Sequence, residues 1–211
     1  MKMRFLRLNI IFVVAIFAMS SCGGLKTAVS SSEKASPFSA SEKALILESP
    51  AEVPMRVLLT TNLEDSLILR QQSQDVIPNK NDEVLTRLIS RLYSTVKDSA
   101  SLGVNIAAPQ VGILKNVIWV QRFDKEGHPF EVYLNPKILK YTEKKQARRE
   151  GCLSIPDRSD TLHSRSYAIL ISYQTVNGEI QIEMIENFTA IIFQHEVDHL
   201  NGILYIDHIQ N

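Results

Sequence analysis

The chain carries two histidines four residues apart, with a glutamate directly after the first, in the stretch Phe193-Gln194-His195-Glu196-Val197-Asp198-His199-Leu200-Asn201-Gly202. On an α-helix, residues i and i+4 lie one above the other on the same face, so His195 and His199 can present two imidazole nitrogens to one metal ion. Glu196 stands beside the first of them, where a carboxylate can take a proton from a metal-bound water. The largely apolar run from Phe188 to Phe193, with Leu200, flanks this polar face and predicts a buried helix whose ligands look into a cleft. The plain alternative is two core histidines and a surface acid that happen to fit the spacing.

A catalytic metal takes three protein ligands and keeps one position open, and this helix supplies two. The common zinc proteases find the third on a later helix, or at the last position of His-Glu-x-x-His-x-x-Gly-x-x-His. Gly202 fits the longer pattern, but its last position is Tyr205, and the twelve residues after His199 are too short a stretch for a later helix. Spacing leaves Asp207 and His208 open as third ligands. Cys152 is the better candidate: it is a lone thiol in the tight segment Glu150-Gly151-Cys152-Leu153-Ser154-Ile155-Pro156. One thiolate with two imidazoles suits Fe(II), Zn(II), Co(II) or Ni(II).

These residues need a scaffold. The 211 residues have formal net charge +0 and are 45% hydrophobic and 22% charged, which suits one ordinary globular domain and gives no reason to expect nucleic acid as a partner. Ahead of it, Lys2, Arg4 and Arg7 precede a run from Leu8 to Met19 that is apolar apart from Asn9, too short for a comfortable membrane span. The run ends at Met19-Ser20-Ser21-Cys22-Gly23, which resembles a bacterial lipoprotein signal with Cys22 as the lipidated mature N-terminus. With Cys22 so engaged, Cys152 has no disulfide partner. The expected organisation is a signal over 1–22, a mostly flexible tether over 23–55, in which Ser41 to Leu47 is compatible with a short helix, and a folded domain over 56–211. The expected address is outside the cytoplasm, anchored to a membrane.

Within the domain, Val57-Leu58-Leu59 reads as a short strand or entry segment and Asp65 to Arg70 as a short helical turn. Asp82 caps a helix in which Val84, Leu85, Leu88, Ile89, Leu92 and Val96 face inward, with Arg87, Arg91 and Lys97 outward. Val117–Val120 and Glu131–Leu134 read as strands joined by a turn at Asp124-Lys125-Glu126-Gly127. Asn135-Pro136 marks a bend before a further short strand at Ile138–Tyr141. Lys144 to Arg149 reads as a solvated basic loop, Ala168–Tyr173 and Glu179–Ile185 as a hairpin, and Ile203–Ile206 as a last strand. Strands first and a metal-bearing helix late predict an α+β domain: largely antiparallel sheets packed around the C-terminal metal-binding helix.

Three segments, in order, resemble the three motifs of the peptide deformylases. Gly103-Val104-Asn105-Ile106-Ala107-Ala108-Pro109-Gln110 is similar to the first, Gly-apolar-Gly-apolar-Ala-Ala-x-Gln. Glu150-Gly151-Cys152-Leu153-Ser154 matches the second throughout, and Gln194-His195-Glu196-Val197-Asp198-His199 the third. Ile68-Leu69-Arg70 and Leu134-Asn135-Pro136 extend the likeness from about Val57 to Asp207. The resemblance implies that Cys152, His195 and His199 hold the metal, typically Fe(II) in the cell, with Zn(II), Ni(II) and Co(II) as other occupants. Glu196 would then be the base in hydrolysis of the formyl group of an N-formyl-methionyl peptide. The Gln110 amide and the backbone N–H of Leu153 would hold the oxyanion. Gly103, Val104, Asn105 and Gly151 would line the substrate path, Ile191 and Ile192 the methionine pocket, and Asp198 would orient a ligand or cap a nearby charge.

Asn105 departs from the family's second glycine; asparagine tolerates positive φ, so the backbone can survive, but its side chain would stand beside the substrate path. Asp157 also stands where the family often has glycine. The address is the larger anomaly, because nascent chains are deformylated at the ribosome. Three readings follow: a deformylase of formyl peptides or other N-formyl amines outside the cytoplasm, a surface lipoprotein that binds formyl peptides without turnover, or a cytoplasmic enzyme with a misread start.

Overall fold

Helix α4, Asn187–Leu200, carries the two histidines, and the rest of the chain wraps it so completely that most of its side chains are buried. The computed structural model describes residues 37–98 and 103–209; Cys22 and the expected signal lie outside them. No helix among the described residues is long and apolar enough to cross a membrane.

The elements ahead of α4 are helices α1 (Ala40–Leu47), α2 (Leu63–Leu69) and α3 (Glu83–Lys97), and strands β1 (Asn105–Ala107), β2 (Val117–Gln121), β3 (Phe130–Tyr141), β4 (Lys145–Cys152), β5 (Ile155–Ser166), β6 (Ala168–Gln174) and β7 (Ile180–Glu186). Five strands form one antiparallel sheet in the order β1-β2-β3-β6-β7, and among the described residues β4 pairs only with β5. This is the α+β arrangement that the sequence predicts. Helix α4 packs on the side of the sheet bearing Ile118, Val120, Tyr133, Ile169, Ile171 and Ile185. Helix α3 closes a second core with Val117, Leu134 and Ile106. Asp82 caps α3 by accepting from the N–H groups of Val84 and Leu85.

The tether expectation needs correction from residue 37 onward. Helix α1 packs on α3, with Ile46 completely buried. Arg91, expected outward, is the reason it docks. Its guanidinium is 2% exposed and donates to the carbonyls of Leu45, Ile46 and Val53 at 2.8, 3.2 and 3.1 Å. A positive charge on the apolar side of α3 is tolerated because those carbonyls replace water. Residues 23–36 of the expected tether lie outside the described residues.

Three local expectations also change. Lys144 to Arg149 is not a loop: from Lys145 it is strand β4, paired along β5 from Lys145↔Ser166 to Cys152↔Ile155. Asn135-Pro136 does not end a strand. β3 runs through it on a bulge, with Asn135 at φ 51°, and the Asn135 amide takes the place of a strand partner for Val76 through bonds of 2.8 and 2.9 Å. Ile203–Ile206 gives no strand; Tyr205–His208 is a 3₁₀ turn, capped where Asp207 accepts from Leu204 N–H at 2.9 Å.

Candidate metal centre

The i, i+4 spacing on α4 does what it predicts: His195 and His199 stand on one face, with ring centroids 5.0 Å apart. The strand β4 ends opposite them at Cys152. One ligand atom from each of Cys152, His195 and His199 lies within 4.8 Å of the others, and the Cys152 Sγ to His199 Nε2 distance is 3.2 Å. Asp207 and His208 turn elsewhere: Asp207 pairs with Arg70, and His208 Nε2 donates to Asp198 Oδ2 at 2.9 Å.

Electrostatics favour a cation among these three side chains. Burial opposes a Cys152 thiolate, but the charge of His199 and hydrogen bonds from both imidazoles outweigh it and hold the thiol well below its usual range. Burial likewise opposes a charged His195, yet Cys152 and Glu150 together push it up to about 10. A pocket that holds a proton so firmly between sulfur and nitrogen is one whose anionic surroundings a divalent metal can replace that proton to satisfy. The donor set of one thiolate and two imidazoles fits such an ion.

His195 is oriented by a chain of ion pairs. His195 Nδ1–H donates to Glu150 Oε2 at 2.9 Å. Arg165 on β5 grips both oxygens of Glu150 at 2.8 and 3.0 Å and donates to Asp198 at 2.6 Å. Burial alone would raise the Glu150 carboxyl; the bonds from His195 and Arg165 outweigh it and hold it at about 2. Fixing Nδ1 in this way leaves Nε2 for the metal. Asp198 was expected to orient a ligand or cap a charge, and it caps Arg165. The ligand-orienting part falls to Glu150, whose role the sequence reading did not identify. Its signal was available: residues i and i+2 of a strand share a face, so Glu150 and Cys152 look the same way once β4 is seen as a strand. Arg165 had no local signal.

Glu196 is fully buried, and burial raises its carboxyl against the lowering effect of the two histidines. Its Oε2 has no hydrogen-bond partner among the described residues. Gln110 lies in a 3₁₀ turn, Ala108–Val111, that ends at Gly112 with φ 83°. Its Oε1 accepts from Ala107 N–H at 2.9 Å, so its Nε2 must face Ser154 Oγ at 3.2 Å and Cys152 Sγ at 3.5 Å. The entry segment staples this corner: Leu58 N–H donates to Gln110 O and Thr60 N–H to Ser154 O.

In front of these groups is a cleft of about 310 Å³ walled by Gly103, Val104, Asn105, Gln110, Gly151, Cys152, Leu153 and His195. A side pocket of about 120 Å³ adjoins it, walled by Phe188, Ile191, Ile192 and Glu150 together with Val104, Asn105 and Gly151. The residues expected to line a substrate path therefore all border one of the two spaces. Asn105 does not use the positive φ that its tolerance suggested; it is an ordinary β1 residue, and its Nδ2 donates to Glu196 Oε1. Asp157 does take positive φ, at 57°, which is the conformation glycine adopts at no steric cost.

Fold and site define a metal-dependent hydrolase with a helix-borne glutamate next to a Cys/His/His centre. A family model described as polypeptide deformylase matches residues 58–211. A peptide deformylase of Thermotoga neapolitana is 40% identical over 146 residues, covering 68% of this chain and 82% of that protein. One of Finegoldia magna is 34% identical over 149 residues, covering 71% and 88%. The Met-Ala-Ser-bound class I type b peptide deformylase from Acinetobacter baumannii superposes with TM-score 0.66 at 35% identity, covering 75% of this chain and 99% of that one. The chain belongs to the peptide deformylase family.

Proposed function

We propose that this protein removes the formyl group from N-formyl-methionyl peptides, with Cys152, His195 and His199 holding Fe(II), and that it does so outside the cytoplasm, anchored through a lipidated Cys22. The observation that carries the hydrolytic reading is the buried Glu196 Oε2, left without a partner beside the three convergent ligand atoms. A divalent metal held there supplies Lewis-acid polarisation and makes water more acidic.

The chain's own residues supply the rest. Strand β1 is an edge of its sheet, so an extended peptide can lie along Gly103–Asn105 in strand-like register. Ile191 and Ile192 offer an apolar side pocket to the methionine side chain. Gln110 Nε2, turned to the cleft by the bond at its Oε1, donates to the oxygen that gains charge as the formyl carbon becomes tetrahedral. The backbone N–H of Leu153 is the second donor assigned to that oxygen. Glu196 accepts the proton of the attacking water at Oε2 and returns it to the leaving amine. Glu150 and Arg165 keep His195 in the required tautomer.

The test is formate release from formyl-Met-Ala-Ser by the full chain loaded anaerobically with Fe(II). Turnover in the wild type and a loss of about 10²–10⁴-fold in Glu196→Gln are expected from removal of a general base. Unchanged turnover in that variant would refute the mechanism. The choice of Fe(II) rests on the family resemblance and the donor set; comparing Fe(II), Zn(II), Ni(II) and Co(II) loadings in the same assay tests it. The address is supported by the basic start, the short apolar run and Ser20-Ser21-Cys22-Gly23. Mass spectrometry of the N-terminal fragment from cells should find acyl chains on Cys22, and an intact Met1 would count against export.

A further inference from the structure

Asn105 stands where the family's first motif has glycine, and its side chain is built into the site. It reaches from β1 across to α4, where its Nδ2 donates to Glu196 Oε1. The other carboxylate oxygen, Oε2, is buried and has no partner among the described residues. Asn105 also borders both the cleft and the side pocket, so its amide meets the base from the substrate's side. A carboxylate tied at one oxygen is no longer two-fold equivalent: turning it to exchange the oxygens breaks the Asn105 bond. A glycine at this position offers no such donor.

We propose that Asn105 is a positioning residue that holds Glu196 by Oε1, so that Oε2 alone handles the proton. This rests on the hydrolytic reading above and adds to it a residue that acts through the base. Asparagine does this only because Nδ2 is a donor. Aspartate has the same shape but would set oxygen against oxygen and push the Glu196 carboxylate away. Shape and hydrogen bonding can therefore be separated.

Formate release should be measured over a range of formyl-Met-Ala-Ser concentrations for the metal-loaded full chain and its Asn105→Ala, Asn105→Gly and Asn105→Asp variants. We expect kcat to fall roughly tenfold in the alanine and glycine variants with KM within about twofold, and by roughly a hundredfold or more in the aspartate variant, a share of the usual effect of a general base. A merely steric role predicts the reverse order, with isosteric aspartate nearest the wild type, and that order would overturn the proposal. So would a glycine variant as fast as the wild type. A second readout needs no turnover. Thermal unfolding of Asn105→Ala, Glu196→Ala and the double variant, all metal-loaded, should give non-additive Tm shifts because the two side chains share one bond. Strict additivity would remove the contact. A wild type without turnover would sink the hydrolytic reading and the proton-handling role with it, while a non-additive cycle would still establish the Asn105–Glu196 contact.

Discussion

Two buried arginines invite comparison. Arg122, just after β2, is 2% exposed, and Arg165, on β5, is 4% exposed. Each grips a carboxylate with a pair of nitrogens: Arg122 takes two in this way, Asp124 at 2.8 and 2.7 Å and Glu183 at 2.9 and 3.3 Å, with Tyr133 Oη at 2.7 Å. Arg165 takes Glu150 at 2.8 and 3.0 Å and Asp198 at 2.6 Å. In both, burial works against the charge and the carboxylate partners more than restore it, so both guanidinium groups are held above their ordinary range. The chemistry is the same and the consequences differ. Arg122 ties the β2–β3 turn to β7 and also lies over the Phe193 ring of α4, 5.8 Å from its centroid. Arg165 joins the separate β4–β5 pair to α4, and its Glu150 partner ends on the Nδ1 of a metal ligand. A buried ion pair becomes part of a site through what its last carboxylate touches.

Three substitutions break or sharpen that comparison. Arg165→Ala should have the largest effect. Losing one side of a buried pair costs about 3–5 kcal/mol, and loosening a metal ligand's orienting partner costs about 10–100-fold in metal affinity. Metal content and formate release should both fall; a variant that kept its metal would dissolve the distinction between the two arginines. Arg122→Ala should cost a similar 3–5 kcal/mol in unfolding free energy, yet leave metal content and kcat of the folded fraction unchanged. Metal loss in that variant would mean that the sheet pair also governs the centre. His208→Ala is the mildest: it removes the outer partner of Asp198, where the imidazole side chain is 32% exposed, and should change stability by less than about 1 kcal/mol. A marked drop in turnover there would extend the working chain from the metal to the surface.

Much of the fold was legible because it rests on periodicity. The apolar residues of α3 report a face that must be buried, and local spacing carries that information; in β7 the alternation marks the strand, but its Ile180, Ile182 and Met184 face outward, 69%, 59% and 56% exposed. The β4–β5 pair was hidden because Lys145, Arg148, Arg149 and Arg158 leave no apolar alternation to see, and its Ile155 and Leu162 reach only a small core with Leu204 and Tyr205. Arg91 was misread for a related reason: charge predicts exposure unless distant carbonyls are waiting, and those belong to a segment that looked like a tether.

The sequence by itself determined that two histidines and a glutamate share one helical face, since 3.6 residues per turn allows nothing else, and three ordered motifs pointed to the family and so to Cys152 and Gln110. Only the tertiary structure decided that these meet. Cys152 and His199 are 47 residues apart, and Gln110 and Cys152 are 42 apart, so no local rule brings them within hydrogen-bonding reach. It also decided that Asn105 is spent on Glu196 rather than on a backbone turn, that Glu150 is clamped by Arg165, and that Ile46, with Phe38 and Leu45, joins the core. The reason is common to all of them: a buried polar group must find a partner, and which partner is settled by the packing of distant elements.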